Sequence, residues 1–189
     1  MEARINDFTT LFNMLWYRDF PVVLGSIEFA KRADWTTHIA STVRQVASIS
    51  GLFSCFESGG RTDAELQFAD RSVWAKLEWE WDEPRQDNVR EITKLAGAAY
   101  ACEFCVYIGY SQTKYLDDNL AKIVAEWAGV PKPLLVILVT FDLEGEWRYF
   151  DRLQTYRIDT IGAELVRDQP ALPWCVPNSR WQSLGSLEG

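Results

Sequence analysis

The sequence is poor in histidine and lacks the motifs of several common catalytic sites. One histidine, His38, occurs in 189 residues, which excludes a zinc site built on several histidines. No glycine-rich loop carries the lysine of a phosphate-binding P-loop, and no Gly-x-Ser-x-Gly motif of a serine hydrolase occurs. His38 is interpreted as a packing or surface residue of a helix rather than a general base. Any catalytic site must therefore use other residue types.

Long apolar runs and positive charge are also scarce. No run approaches the length of a transmembrane helix, and the first thirty residues lack the layout of a signal peptide. We therefore expect a cytoplasmic protein without a membrane partner. The net charge of -8 argues against broad adhesion to nucleic acid, which needs a positive surface. It remains compatible with a nucleic-acid enzyme whose site is a cluster of carboxylates, because a bound divalent cation reverses the local sign of charge.

Four cysteines are present, and two of them, Cys102 and Cys105, have the spacing of a redox or zinc pair. A zinc site would need a second pair or histidines. The surrounding segment, ACEFCVYIGY, is typical of a buried strand. This favours the interpretation that the two cysteines are small apolar core residues.

The composition and the order of predicted elements indicate a folded α/β protein. Hydrophobic residues make up 48% and tryptophan occurs nine times, which excludes disorder. We predict a single domain, 1–189, with a core over about 35–151, an N-terminal helical segment, 1–34, and an irregular C-terminal segment, 157–189. Within the core the patterns predict a helix, a three-stranded meander, a helix, a strand, a helix and a hairpin. This order favours a mixed central sheet flanked by helices.

An acidic hairpin is the most informative part of the chain. One strand is predicted over 63–68 and its partner over 73–81, in a segment that contains the stretch AKLEWEWDE. Because strand side chains alternate between faces, Ala75, Leu77, Trp79 and Trp81 should share one face. Trp74, Lys76, Glu78 and Glu80 should share the other. We expect Trp79 and Trp81 to be more buried than Glu78 and Glu80.

The hairpin predicts that three carboxylates converge. Asp63 begins the first strand, and Glu78 and Glu80 lie near the far end of its partner, so the open ends of the strands bring them together. Three oxygen ligands suit a hard cation such as magnesium or manganese. Such an ion polarises a phosphate ester and lowers the pKa of bound water. The alternative is an exposed hairpin whose acidic face is merely solvated.

This arrangement resembles the PD-(D/E)XK nuclease superfamily, which has the restriction-endonuclease-like fold. The resemblance covers about Trp35 to Ile108. It implies that Asp63 is the metal-binding aspartate and that Glu78 is the first acidic position of the third-strand motif. Glu80 stands where lysine is usual, which makes a Glu-x-Glu variant, and Thr62 replaces the proline that usually precedes the aspartate.

In this family the motif residues bind magnesium and help to activate water for phosphodiester hydrolysis. The resemblance implies that Asp63, Glu78 and Glu80 hold the metal and that Lys76 or Lys94 supplies the missing positive charge. Glu28 resembles in position an extra acidic ligand of many members.

Two classes of function follow from these patterns. The first is a magnesium-dependent endonuclease acting on DNA, in bacterial or phage DNA processing or defence. Double-strand cleavage would favour a homodimer. The second is an acidic, non-catalytic binding protein of the inhibitor or immunity type, whose negative face docks onto a basic protein partner. A nuclease-fold scaffold that has lost activity lies between the two.

Overall fold

The computed structural model describes residues 2–21, 32–57, 62–145 and 147–182. In chain order the helices and strands are α1 (Glu2–Leu15), α2 (Arg32–Ile49), β1 (Phe53–Phe56), β2 (Ala64–Gln67), β3 (Val73–Trp79), α3 (Glu91–Ala98), β4 (Phe104–Gln112), α4 (Leu116–Trp127), β5 (Leu134–Glu144), β6 (Trp147–Ile158) and β7 (Ala163–Pro170). Short 3-10 turns follow α3, precede α4 and follow β7. None of the helices in these ranges combines the length and the apolar character needed to cross a membrane.

The seven strands form one mixed sheet in the order β1-β2-β3-β4-β5-β6-β7. Strands β3, β4 and β5 are parallel to one another, and all other neighbours are antiparallel. The two parallel steps are crossovers through α3 and α4, as parallel pairing requires. The predicted α/β class, with a mixed sheet flanked by helices, is confirmed.

Helices cover both faces of the sheet. α1 and α2 pack on one face, against inward side chains of the central strands such as Leu77 and Phe104. α3 and α4 pack on the other face, where Cys105 and Tyr107 belong to the core. Residues of β3 therefore lie under a helix layer whichever way they point. This double cover, rather than one solvated face, determines the environment of the acidic residues.

The boundaries of the core differ from the prediction at both ends of the chain. α1 belongs to the core, since its residues Phe8 and Phe12 are fully buried, as is Trp16 directly after it. The segment after residue 157 was expected to be irregular, but β6 continues to Ile158 and β7 pairs with it along its length. β7 is an edge strand with mostly exposed side chains, so it lacks the alternation that would have marked it.

The burial predicted for the return strand of the hairpin is partly wrong. Ala75, Leu77 and the partly buried Trp79 face the α1–α2 side as expected. Trp74 packs on that same side, because a register shift in the β2–β3 pairing interrupts the alternation beside it. Glu78 is 0% exposed, more buried than Trp79 or Trp81, because α3 covers the acidic face.

The helix that covers this face begins later than the sequence suggested. Asn88 and Glu91 have the spacing of a capping box, which predicts a helix that begins just after Asn88, but α3 begins at Glu91 and the Asn88 side chain donates instead to Asp82. The carboxylate of Glu91 accepts a hydrogen bond from the backbone N–H of Arg90. The first turn of α3 is thereby fixed next to the end of β3.

Candidate functional site

Asp63 and Glu78 lie side by side at one end of the β2–β3 pair. The register pairs Ala64 with Leu77 and Glu65 with Lys76, so one further step places Asp63 opposite Glu78. Asp63 Oδ2 accepts a hydrogen bond of 2.8 Å from the backbone N–H of Trp79. The two strands therefore fix the position of both carboxylates through backbone hydrogen bonding.

Glu78 has one ion-pair partner and one free oxygen. Lys94, on α3, donates from Nζ to Glu78 Oε2 at 2.8 Å, and its side chain is 39% exposed. Glu78 Oε1 is buried and has no hydrogen-bond donor among the described residues. An orphaned carboxylate oxygen in a buried position calls for a proton or a cation.

The pKa values of Asp63 and Glu78 also indicate that two negative charges are unfavourable here. Burial raises the pKa of Glu78 to about 7, opposed by the hydrogen bond from Lys94 and reinforced by the nearby Asp63. Burial also raises the pKa of Asp63, although the N–H of Trp79 and the charge of Lys94 act against it. The side chains are close enough to share a proton when one is protonated, but both are acceptors when ionised. The pair cannot hold two negative charges comfortably without an added positive group.

Lys94 responds in the opposite sense. Burial lowers the pKa of its amino group, but the hydrogen bond to Glu78 and the attraction of Asp63 outweigh this, so the net pKa is raised. Lys94 therefore stays positively charged near neutral pH. Its side chain is partly exposed, so it supplies one positive charge between Glu78 and the solvent.

Glu91 is a member of the site that sequence reasoning did not identify as such. Its negative charge raises the pKa of both Asp63 and Glu78. It precedes Lys94 by three residues on α3, so the two side chains share a helix face. That spacing is visible in the sequence, but it does not show that α3 packs beside the end of β3.

Glu80 does not join the other carboxylates, contrary to the expectation of a three-ligand cluster. It lies just beyond β3, and its Oε1 accepts hydrogen bonds from Arg32 and from the backbone N–H groups of Trp81 and Asp82. The distance to Arg32 Nη2 is 2.8 Å. The strand ends at Trp79, so the alternation that grouped Glu80 with Glu78 no longer applies.

Lys76 is also separated from the site. It faces the same side of the sheet as Glu78, but its Nζ forms a 2.7 Å ion pair with Glu65 on β2, with both side chains buried. Gln67 donates a further hydrogen bond to Glu65. Of the two lysines considered for the missing positive charge, Lys94 rather than Lys76 contacts Glu78. Glu28, the other residue considered as a ligand, lies outside the described residues.

A second polar cluster holds the loop between β3 and α3. Glu83 is buried and accepts hydrogen bonds from the backbone and side chain of Gln112 and from Asn119. Asn119 also accepts from the backbone N–H of Arg85 and donates to Ser111. These hydrogen bonds, which lower the pKa of Glu83 despite its burial, fasten the loop to β4 and α4. The fixed loop thereby positions α3, with Glu91 and Lys94, beside the acidic end of β3.

The donor set fits a cation that keeps most of its water. No group of three or more His, Cys, Asp or Glu side chains in the described ranges is arranged to hold a metal ion. Two carboxylates, one with an orphaned buried oxygen, remain. Magnesium is commonly bound through one or two carboxylates with several waters retained, so this pair suits it better than a cage of protein ligands would.

Comparisons with known proteins give no assignment. No family model matches the chain, and no curated protein matches it. Among solved structures, the crystal structure of YaeQ protein from Pseudomonas syringae is 11% identical and covers 62% of this chain and 67% of its own, with a TM-score of 0.31. The YaeQ protein from Xanthomonas axonopodis pv. citri is 8% identical and covers 69% and 77%, with a TM-score of 0.30. These likenesses are too weak to carry an argument about fold or activity.

Proposed function

We propose that the chain is a divalent-metal-dependent nuclease that hydrolyses phosphodiester bonds in DNA. The observation that carries the proposal is the Asp63–Glu78 pair, in which Glu78 is buried with an orphaned Oε1, together with the adjacent cation of Lys94. Opposed carboxylates with an unsatisfied oxygen favour a bound cation, and a lysine beside them favours an anionic substrate. The proposal places the enzyme in the cytoplasm, in DNA processing or defence, with a homodimer as the form that would cut both strands.

The order of elements supports a restriction-endonuclease-like core. A helix, three antiparallel strands, a second helix and a strand parallel to the third follow one another from α2 to β4. Asp63 precedes the second of these strands, and Glu78 lies on the third. These are the positions in which the resemblance placed the metal-binding acids.

The residues of the site would have different roles in the proposed reaction. Asp63 and Glu78 would hold magnesium or manganese, which supplies Lewis-acid activation of the phosphate and of a bound water. Lys94 neutralises Glu78 in the resting protein and faces solvent, where its amino group can contact a phosphate oxygen. Glu91 adds negative charge that strengthens cation binding. Glu80 and Lys76 are left out of this set, because Arg32 and Glu65 already engage them.

The decisive experiment compares the parent with Glu78→Gln. Glutamine keeps the shape of the side chain but removes a full negative charge from the cation, so cleavage of plasmid, linear and single-stranded DNA should fall at least about 100-fold. The control is Glu164→Gln, which removes the same charge from an exposed residue of β7 and should leave cleavage unchanged. Reactions contain magnesium or manganese, with a chelator as the blank.

A second measurement separates metal binding from catalysis. Millimolar magnesium or manganese should raise the melting temperature of the parent and of Glu164→Gln but not that of Glu78→Gln, because the folded state alone assembles the ligands. Equal cleavage by the parent and Glu78→Gln would show that Glu78 is not an essential ligand.

A non-catalytic binding protein is the second candidate. It is favoured by the net charge of -8 and by the ion pairs through which Arg32 and Lys94 already neutralise Glu80 and Glu78. In that case the parent would cleave no DNA substrate under any metal condition and would show no thermal shift. Its partner would be a basic protein, and the affinity would weaken as salt is added.

A further inference from the structure

Two cysteine thiols lie in contact beneath α3, outside the acidic site. Cys102 precedes β4, and Cys105 is its second residue. Their Sγ atoms are 3.6 Å apart, a distance at which one thiol donates to the other. Both are free thiols, whereas the other two cysteines lie elsewhere, Cys55 on β1 and Cys175 in the turn after β7. The closure of a four-residue loop between two thiols already in contact needs little movement of the chain.

The two thiols differ in environment. The hydrogen bond from Cys105 lowers the pKa of Cys102, and the charges of Lys132 and Lys76 act in the same direction against the effect of burial. The same hydrogen bond, together with burial, raises the pKa of Cys105. Cys102 keeps 5% exposure, and Cys105 has none. Cys102 is therefore the more accessible of the two thiols to a small oxidant, and it is also the one that ionises to the thiolate more readily.

We propose that Cys102 and Cys105 form a reversible disulfide, with Cys102 as the attacking thiol and Cys105 as the resolving thiol. With a hydroperoxide as oxidant, the Cys102 thiolate attacks one peroxide oxygen. The O–O bond breaks, a sulfenic acid forms on Cys102, and the leaving oxygen departs as water or an alcohol after taking a proton. Cys105 then attacks the Cys102 sulfur. The S–S bond forms, the S–O bond breaks, and a water carries away the oxygen with the Cys105 proton.

Oxidation of the pair would change the hydrogen bonding at the end of the helix that covers it. Cys102 Sγ lies 3.5 Å from Ala99 O, and Cys105 Sγ lies 3.8 Å from Leu95 O, so each thiol can donate its single proton either to a carbonyl or to the other thiol. Leu95 lies in the last turn of α3, which also carries Lys94, and Ala99 begins the 3-10 turn that follows this helix. A disulfide has no S–H group, so neither carbonyl can then accept a hydrogen bond from a thiol. We therefore expect oxidation of the pair to change the stability of the end of α3. This inference does not rest on the proposed nuclease activity.

The test uses the full chain with Cys55→Ser and Cys175→Ser, so that the pair is the only source of thiols. Folded protein is treated with hydrogen peroxide, quenched and analysed by intact mass. We expect a mass lower by about 2 Da, since two hydrogens leave, and full reversal by dithiothreitol. Further replacement of either Cys102 or Cys105 by serine should abolish this species.

The roles of the two thiols are read from a sulfenic-acid trap. Dimedone should label Cys102 in the Cys105→Ser background, and labelling of Cys105 in the Cys102→Ser background should be at least about 10-fold slower. Faster trapping at Cys105 would reverse the assignment. Failure of the folded protein to form the disulfide, while urea-unfolded protein forms it readily, would overturn the proposal.

Hydrogen exchange tests the link to the helix. Amides of α3 should exchange at least about 10-fold faster in the oxidised protein than in the reduced protein, because the carbonyls at and just after the end of the helix can no longer accept from a thiol. Amides of α2, on the opposite face of the sheet, serve as the internal control. Formation of the disulfide with unchanged exchange in α3 would refute the link between the pair and the helix.

Discussion

At the scale of single residues, Glu78 combines complete burial with a neighbouring carboxylate, Asp63. Its pKa of about 7 means that the protonated and ionised forms are both populated near neutral pH. A cation that binds the pair must displace the proton, so metal binding and proton release are coupled. Under the proposed function, the same residue would determine both the stability of the metal-free protein and its affinity for the ion.

This coupling makes a prediction about pH. The pKa of Glu78 is raised from 4.5 to about 7 in the folded protein, so the folded state holds the proton more tightly than the unfolded state. The stabilisation is complete below pH 4.5 and is lost as the pH rises through 7, by at most about 3 kcal/mol. Relative to Glu78→Gln, the metal-free parent should lose stability over this interval.

Urea denaturation at several pH values measures the difference between the two proteins. Glu78→Gln should equal or exceed the parent in stability above pH 7, where the parent holds the charges of Glu78 and Asp63 against the single positive charge of Lys94. Glu164→Gln should follow the parent throughout. Parallel curves for the parent and Glu78→Gln would mean that the pKa of Glu78 is not raised.

At the scale of secondary-structure elements, the β2–β3 hairpin carries a buried ion pair next to the site. Lys76 and Glu65 occupy a directly opposed register position, with side-chain exposures of 8% and 5%. Buried ion pairs contribute little net stability against apolar replacements, but loss of one partner leaves a charge that is not compensated. The pair therefore acts as a constraint on register more than as a source of stability.

Single and double replacements distinguish these effects. Lys76→Met should destabilise the protein by about 3 to 5 kcal/mol, because Glu65 would be left buried without its cation. The double variant Lys76→Met with Glu65→Leu should recover most of that loss. The matched control is Arg152→Met at the half-exposed pair with Asp168 across β6 and β7, which should cost at most about 1 kcal/mol. A small effect of Lys76→Met in urea denaturation would contradict this account.

The same hairpin shows what could and could not be predicted from the sequence. Alternation correctly placed Ala75 and Leu77 on one face and Lys76 and Glu78 on the other, and the short turn correctly brought Asp63 beside Glu78. Alternation is a local property, so it could not show that α3 would cover the acidic face and bury Glu78. Nor could it show that the strand would end at Trp79, which releases Glu80 to Arg32.

At the scale of the whole molecule, the α1 region and the end of β7 meet on the face of the sheet opposite the site. Trp16 donates to Ala171 O at 2.8 Å, and Gln169 donates to Asn13 O at 3.0 Å, which joins the α1 region to β7 and the residue after it. His38 lies beneath this contact, buried against Trp16. Its Nδ1 is 3.1 Å from Asp19 O, and its Nε2 has no partner among the described residues. A neutral imidazole is accommodated there, and a charged one is not.

His38 and Glu78 should oppose each other in the pH dependence of the whole protein. Burial lowers the pKa of His38 from 6.5 to about 4, although the carbonyl of Asp19 acts against this. As the pH falls, the unfolded state binds the proton before the folded state does. The stabilisation of the folded state by neutral His38 is therefore complete above pH 6.5 and is lost as the pH falls through 4, by at most about 3 kcal/mol. Glu78 changes stability in the opposite direction between pH 4.5 and 6.5, so the two slopes largely offset each other in the parent.

Replacement of His38 by phenylalanine should reveal how Glu78 alone makes the stability of the protein depend on pH. Phenylalanine keeps an aromatic ring among Trp16, Phe20 and Trp35, at a cost of about 1 kcal/mol for the lost hydrogen bond at every pH. Between pH 4.5 and 6.5 the stability of His38→Phe should fall as the pH rises, whereas that of Glu78→Gln should increase. The double variant should be nearly independent of pH in this interval, because the two groups lie on opposite faces of the sheet and their effects add. A His38→Phe protein that still loses stability towards pH 4.5, as measured by urea denaturation, would show that the buried imidazole is not the group that destabilises the fold in acid.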